Sequence, residues 1–455
     1  MDSAPYLSKL IDIFGERVII DEEKLKQYEE DQSYFKGKPS LAVIPENVSE
    51  VEKLVEIAKQ YRVPLIPRGG GTSLSGGSVP IFGGIVIDFR RMNRIIDLDV
   101  DNMQVLVEPG VICDTLNDYL AKYNLFLPPN PATSDQCTIG GMIGENAAGP
   151  RSYKYGTMKN WVLGLEVITS AVGKVWIGSK TRKWVSAYDL ISLFIGSEGT
   201  LGIITKALLK LTSKPQYRIG ITISHDDLED AGKTIVFLTK LTLDISAIEL
   251  MDRITINAIN TAHGKRLPEV EAMILLEIEG YSYEDINGKL ECLDKNLKSI
   301  GIADEMVNVY YDVNEMWRTR KLVGESLEKV YGGRIDEDII VPTSLLPKTI
   351  RAIKELSKKM NVKIAIFGHA GDGHLHPSIL IKKEESNTPK VEEIKGEIFK
   401  LAIENKGALS GEHGIGITKK KYLPLEIRSE TLNLLSIVKR TLDPHNIMNP
   451  GKKIL

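Results

Sequence analysis

Cysteine is scarce in this 455-residue sequence: Cys113, Cys137 and Cys292 lie far apart and form no Cys-x-x-Cys pair. That spacing speaks against an iron–sulfur cluster, a thiolate zinc site and a disulfide framework, and it fits a reducing compartment such as the cytoplasm. Long apolar runs are missing too. No stretch approaches the roughly 18 uninterrupted apolar residues of a membrane-crossing helix, so no integral span is expected and any membrane association is peripheral. The opening Met1-Asp2-Ser3-Ala4-Pro5 is acidic and lacks the apolar region of a signal peptide. A field of one charge sign is also absent. The formal net charge is -3, which argues against nucleic acid as a partner. The basic run Lys419-Lys420-Lys421 is short and reads as a solvated loop or helix start.

What is present belongs to a folded enzyme-sized chain. Hydrophobic residues make up 42% and charged residues 26%, ordinary values for a globular protein. The length exceeds what one core usually supports, so two domains are expected. Ser49-Glu50-Val51-Glu52 reads as a capping box, followed by Val51, Leu54, Val55 and Ala58 at helical spacing and a stop before Pro64. Pro64-Leu65-Ile66, Ile85 to Phe89 and Gln104 to Val107 read as strands, and Val111 to Tyr123 as a helix. Ile139 to Gly156, rich in Gly, Ala and Asn, reads as a long loop without a core of its own. Trp161 to Thr169 and Lys174 to Ile177 suggest a hairpin, Ile203 to Leu211 closes the first region, and Ser213-Lys214-Pro215 punctuates it. Glu271 to Ile278 is a clear strand in the region that follows.

The densest motif is Pro67-Arg68-Gly69-Gly70-Gly71-Thr72-Ser73-Leu74-Ser75-Gly76-Gly77-Ser78, five glycines in twelve residues. Glycine lets backbone amides turn inward, and several amides in a concave turn bind an anion, phosphate above all. The bland alternative is a flexible surface turn. The loop matches neither Gly-x-Gly-x-x-Gly opening a helix nor a P-loop, so neither a nicotinamide nor an ATPase fingerprint is present. Two further stretches accompany it. One is Thr138-Ile139-Gly140-Gly141-Met142, running on to Asn146-Ala147-Ala148-Gly149 and Tyr155-Gly156-Thr157. The other is Gly196-Ser197-Glu198-Gly199-Thr200-Leu201-Gly202-Ile203-Ile204-Thr205.

In this order and at these separations the three stretches resemble the FAD-linked oxidases of the vanillyl-alcohol-oxidase type, along nearly the whole chain. The resemblance implies an α+β, two-domain flavoprotein: an FAD-binding domain of two subdomains over 1–215, an antiparallel-sheet substrate or cap domain with a metal site over 216–424, and a C-terminal segment, 425–455, that returns to the flavin through Asn449-Pro450-Gly451-Lys452. It also implies the cofactor contacts: Pro67, Arg68, Gly69, Gly70, Gly71, Thr72, Ser73, Gly76 and Gly77 around the pyrophosphate, and Pro131, Thr138, Gly140, Gly141, Asn146, Gly149, Tyr155, Gly156, Gly199, Ile204 and Asn449 along the rest of FAD. Some relatives attach FAD through a histidine in the first loop. This loop has none, so non-covalent FAD is expected.

Four of the seven histidines fall between 369 and 413. Gly368-His369-Ala370-Gly371-Asp372-Gly373-His374-Leu375-His376-Pro377 follows an expected strand, Val362 to Phe367, and a second strand over His374 to Leu380 turns His374 and His376 to one face. Gly411-Glu412-His413-Gly414 comes later. Histidine and glutamate suit a divalent metal, zinc first, with a position left open for substrate; the alternative is loop histidines that merely satisfy hydrogen bonds. By resemblance to the glycolate, D-lactate and D-2-hydroxyglutarate dehydrogenase branch, His369, His376 and Glu412 are the metal ligands and His413 the catalytic base. Asp372 is a candidate to orient a ligand imidazole. Where many relatives have Asn this chain has His374, open between a fourth ligand, a substrate contact and a neutral replacement.

The expected activity is FAD-dependent oxidation of a small D-2-hydroxy acid. A carboxylate substrate calls for a guanidinium. Met316-Trp317-Arg318-Thr319-Arg320-Lys321 resembles the family's Trp-x-x-Arg region, and Arg318, beside Trp317, is taken as the clamp, with Arg334 as the second candidate. The ending His376-Pro377-Ser378 resembles the glycolate and lactate form of the branch, which implies D-lactate or glycolate rather than D-2-hydroxyglutarate. Quinone, a cytochrome, an electron-transfer flavoprotein and oxygen are all open as electron acceptors, and a homodimer is compatible with the sequence. An ether-lipid synthase and a non-catalytic flavin subunit of a larger complex are the alternatives from other classes.

Overall fold

A computed structural model describes residues 5–33, 35–386 and 388–454; Met1 to Ala4, which entered the signal-peptide reading, lie outside the described residues. The chain forms two compact units. The first holds the chain up to Ala148, Thr157–Lys214 and the chain from Glu412; the second holds Gly149–Gly156 and Pro215–Gly411. The boundaries drawn from sequence stand at 215 and 424, and the units change over after Lys214 and after Gly411.

The first unit carries two larger sheets beside a short pairing of Leu125–Phe126 with Thr212–Ser213. One runs in the order β1 (Val18–Ile19), β2 (Leu41–Val43), β4 (Ile85–Asp88), β3 (Leu65–Arg68). β2 and β3 both lie parallel to β4, and β2 and β4 are buried throughout, as parallel strands covered on both faces must be. Helix α1 (Val48–Tyr61) covers them with Val51, Leu54, Val55 and Ala58, as expected, and stops at left-handed Arg62. Its cap differs from expectation. Asn47, not Ser49, accepts the Glu50 amide, a contact worth about 1 kcal/mol. The carboxylate of Glu50 turns back to the Glu46 amide and pairs with Arg17 at 2.6 and 2.8 Å. The second sheet is antiparallel, in the order β5 (Ile95–Asp99), β6 (Gln104–Val107), β9 (Ile203–Lys210), β7 (Val162–Thr169), β8 (Gly173–Gly178); β7 and β8 are the expected hairpin. Helix α2 (Cys113–Ala121) follows β6.

The stretch from Ile139 corrects the loop reading. Helix α3 (Ile139–Glu145) forms there, capped by Thr138 and ended by left-handed Asn146. Ile139, Met142 and Ile143 make a buried stripe at helical spacing, which the intervening glycines hid. Gly140 lets the helix lie on Pro109; a Cβ there would stand 2.6 Å from that proline's Cβ.

The second unit carries one large antiparallel sheet in the order β13 (Val307–Tyr310), β10 (Tyr217–His225), β12 (Ala272–Gly280), β11 (Ile245–Asp252), β15 (Lys363–Gly368), β16 (His374–Leu380), β14 (Arg334–Asp336), with Ile339–Ile340 also on β16. Every residue of β11, β12 and β16 is buried, so each polar residue on them must be partnered in place. Among the described residues no helix is long and apolar enough to cross a membrane.

Asp252, at the end of β11, shows how such a residue is satisfied. It caps helix α4 (Arg253–His263), accepting the Thr255 amide at 2.9 Å and hydroxyl at 2.7 Å, and it takes the Ile366 amide of β15 at 2.8 Å. Burial pushes its carboxyl up to about 6. Because that value is raised in the folded state, its contribution is full below the unfolded pKa of about 4 and falls as pH rises through 6. Asp252→Asn puts an amide donor against the Ile366 N–H and should cost about 1–3 kcal/mol near pH 4.5. The deficit against wild type should shrink by pH 7.5, read as the difference in thermal midpoints at the two values; a deficit that grows with pH contradicts the assignment.

Candidate active site

In the second unit, β15 and β16 form a hairpin whose connection carries the histidine block. Phe367 faces His376 across the ladder. The chain then turns through His369, the short helical turn Ala370–Asp372 and Gly373 at φ 76. Gly373 is required there twice over: its φ is left-handed, and a Cβ would fall 2.0 Å from the Val341 carbonyl oxygen. His374 and His376 alternate with Leu375 on β16 and share a face, as the strand reading expects. All three histidines are buried. Ring centroids of His369 and His374, His369 and His376, and His374 and His376 are 5.3, 5.3 and 4.6 Å apart.

Two buried carboxylates hold this triangle. Glu249, on β11, accepts from His369 Nδ1 at 2.5 Å and from Arg320 Nε at 2.7 Å. Burial would raise its carboxyl; the His369 and Arg320 charges outweigh that and bring it down to about 2. The Arg320 guanidinium also lies over the Phe367 ring, 5.1 Å from its centre. The second carboxylate is Asp338. It bonds His374 Nε2 and also accepts the Gly411 amide at 2.9 Å and the Ser410 hydroxyl at 2.5 Å. Gly411 packs on the His374 ring, where a Cβ would come within 2.7 Å. Asp372 is partly buried between the first two histidines, and it and burial push the Tyr153 phenol up.

Neither Glu249 nor Asp338 figures among the residues selected from sequence, and Arg320 was passed over for its neighbour. Arg318 lies on the same helix, α5 (Val313–Lys321), but is exposed and meets Asp312 at 3.3 Å. The structure brings Arg320, not Arg318, to the carboxylate under His369. Arg334, on β14, pairs with Asp336, which also takes the Ser378 hydroxyl of β16. Trp317, one turn from Arg320, donates to Glu277 at 2.5 Å.

In the first unit the glycine loop follows β3. Gly69 and Gly70 press against the segment that starts α3: a Cβ on either would lie 2.3 Å from Thr138 Oγ1 or from the Gln136 carbonyl oxygen. Among the described residues, the amides of Gly70, Gly71 and Thr72 donate to no protein acceptor. A run of free amides in a tight turn suits a pyrophosphate. Ser73 Oγ accepts the Ser75 and Gly77 amides at 3.2 and 3.3 Å, and Gly76 turns at φ 81. Arg68 is occupied elsewhere, on the carbonyls of Glu30 and Gln27 at 2.9 and 3.1 Å.

Asn449 ties the remaining motifs together. Its Nδ2 donates to the carbonyls of Gly77 and Glu198 at 2.8 and 2.7 Å, while Gly199 packs on Pro67. Glu198 in turn accepts the Ile415 and Gly416 amides at 2.8 and 2.7 Å, just beyond His413. His413 Nε2 stands 3.8 Å from Glu412 Oε1 and both side chains are partly exposed. Ile204 is on β9 opposite Val167, Pro131 accepts the Ser134 amide, and Asn146 accepts from the Thr157 hydroxyl at 2.8 Å. Gly149, Tyr155 and Gly156 belong to the second unit, where the Tyr155 hydroxyl donates to Glu279 at 2.6 Å.

Comparison with known proteins shows the family and the fold. Residues 39–178 match the family described as an FAD binding domain, and residues 214–453 match the C-terminal domain of FAD linked oxidases. The chain is 33% identical over 421 residues to the glycolate oxidase subunit GlcD of Bacillus subtilis (strain 168), covering 92% of this chain and 89% of that one. It is 33% identical over 443 residues to the mitochondrial D-lactate dehydrogenase [cytochrome] of Arabidopsis thaliana, covering 93% and 77%. Among solved structures, the 4-ethylphenol oxidase of Gulosibacter chungangensis superposes with a TM-score of 0.81 at 17% identity, over 99% of this chain and 97% of that one. The fold is therefore that of the vanillyl-alcohol-oxidase-type flavoproteins, and the chain belongs to the FAD-linked oxidase family.

Proposed function

We propose that the chain is a dehydrogenase that uses non-covalent FAD to oxidise a small D-2-hydroxy acid, D-lactate or glycolate, to the 2-oxo acid. The observation that carries this reading is the single buried carboxylate of Glu249 joining an imidazole, His369, to a guanidinium, Arg320. A 2-hydroxy acid offers a hydroxyl and a carboxylate on neighbouring carbons, and the two groups need those two kinds of partner. Two relatives named for glycolate and D-lactate support the substrate class.

His369, His376 and Glu412 are the residues that would hold a divalent ion, zinc first by its taste for imidazole and carboxylate. The donor set fits: the imidazole nitrogens lie within 4.8 Å of one another, and Glu412 follows, by one peptide bond, the Gly411 whose amide is fixed on Asp338. A bound ion supplies Lewis acidity toward the substrate hydroxyl. Arg320 clamps the carboxylate: among the described residues it hydrogen-bonds Glu249 through Nε alone, which leaves both Nη groups for an anionic guest. His413 takes the hydroxyl proton on an imidazole nitrogen. The amides of Gly70 to Thr72 would hold FAD, which would supply a two-electron acceptor for the hydrogen at C2. Reoxidation falls to a quinone, a cytochrome, an electron-transfer flavoprotein or oxygen.

Steady-state rates with an artificial dye test the reading. D-Lactate or glycolate should turn over, and D-lactate should clearly outrun L-lactate; equal rates on the two enantiomers contradict the assignment. Arg320→Lys should raise KM for the acid about tenfold or more, whereas Arg318→Ala should stay within about twofold; the reverse ranking returns the clamp to Arg318.

Acid or heat denaturation should release intact FAD into the supernatant. Flavin that stays with the precipitated polypeptide rules out non-covalent attachment.

Ligand and base are separated by their metal content. His376→Ala should lose the ion and most turnover while keeping FAD. His413→Ala should keep both ion and FAD and lose the chemical step, by about 100-fold or more. If His413→Ala loses the ion and His376→Ala keeps it, the roles are exchanged.

A further inference from the structure

We infer that His374 is a metal ligand through Nδ1, held in place by Asp338, so that the second unit alone presents three imidazoles to the ion. The inference rests on the proposed metal site and adds a donor to it.

The argument starts from which ring nitrogen keeps a lone pair. Asp338 accepts the Gly411 amide on Oδ1 and the Ser410 hydroxyl on Oδ2, so both of its oxygens act as acceptors. The nitrogen facing it, His374 Nε2, therefore carries the proton. A neutral imidazole has one N–H and one lone pair, which leaves Nδ1 as the acceptor. His369 likewise turns Nδ1 to a buried carboxylate, Glu249. Two rings of the triangle thus have one nitrogen tied to a dedicated carboxylate. That pairing of imidazole with carboxylate orients ligand histidines in metal sites and raises their basicity.

Packing alone does not account for the pair. Asp338 is fully buried and His374 nearly so, and a buried carboxylate is costly unless its partners compensate it. A histidine needed only to fill space would be better replaced by an apolar side chain, with no carboxylate brought in to meet it. His374 is also central to the cluster, its ring centroid 4.6 Å from that of His376 and 5.3 Å from that of His369. With Glu412 as the one anionic donor, three imidazoles favour zinc, iron or cobalt over magnesium or calcium.

The test uses the full chain with FAD bound. After dialysis against a chelator, Zn²⁺ is titrated back calorimetrically. His374→Asn should weaken zinc binding about 100-fold or more, alongside His369→Asn, and Asp338→Asn should weaken it by about 10–100-fold through the freed ring. The flavin absorbance of each variant reports whether it has folded. Zinc-edge X-ray absorption on the unaltered protein should count three imidazoles and depends on no variant. Two imidazoles, or a zinc affinity unchanged in His374→Asn while His369→Asn loses it, overturns the role of His374 and leaves the metal site standing. An unaltered protein that takes up no zinc overturns both.

Discussion

A carboxylate on a strand buried on both faces has to be neutralised where it stands, and the second unit is organised around that requirement. Glu249 lies on β11, every residue of which is buried, so its charge would cost several kcal/mol without compensation. The cost is offset by Arg320 from α5 and His369 from the β15–β16 connection. Each of these is thereby fixed to the sheet rather than to a loop. On the neighbouring strand β12, Glu277 repeats the pattern with Arg151 at 2.9 Å, Trp317 at 2.5 Å and the Ser246 hydroxyl at 2.8 Å. Helix α5 is held through both carboxylates, by Trp317 on one and Arg320 on the other. The positions of His369 and Arg320 therefore follow from satisfying charge inside the sheet.

How much of this could be read in advance differed from one residue to the next. The histidines stood out because four of them share a glycine-rich neighbourhood, and their strand register followed from simple alternation. Glu249 was hidden in Ile-Ser-Ala-Ile-Glu-Leu-Met-Asp, where one acidic residue in an apolar strand looks like an outward-facing position. Only the burial of both faces turns it into a demand for partners. Asp338 was hidden for the opposite reason, as one acid among Asp336, Glu337 and Asp338. The choice between Arg318 and Arg320 was decidable: on a helix, residues three apart share a face and neighbours do not, so Arg320 belongs with Trp317 and Arg318 points away. The same periodicity, through Ile139, Met142 and Ile143, marks α3 within its glycines.

The glycine motifs also divide more finely than their order suggests. Gly69, Gly70, Gly77, Thr138, Gly199 and Asn449 converge in the first unit by backbone packing and by the two bonds of Asn449. The short stretch Gly149–Gly156, part of the same sequence pattern, folds onto the sheet of the second unit. Arg151 meets Glu277 there, and Lys154 and Tyr155 meet Glu279 at 2.7 and 2.6 Å. A motif recognised by order alone gives no sign of this, because the partners are more than a hundred residues away.

Strand β3, which delivers the glycine loop, is completed by residues far along the chain. Leu65 donates its amide to the Ile447 carbonyl at 2.7 Å and accepts the Asn449 amide at 2.8 Å, while Lys439 holds the turn through the Met448 carbonyl and Asp443. During synthesis the second unit, contiguous from Pro215 to Gly411 apart from one eight-residue strap, has its whole sheet available long before that edge is closed. One edge of β3 pairs with β4, and the other is closed only when positions 447 to 449 are available. Closing the first unit therefore calls on a segment translated after the whole of the second.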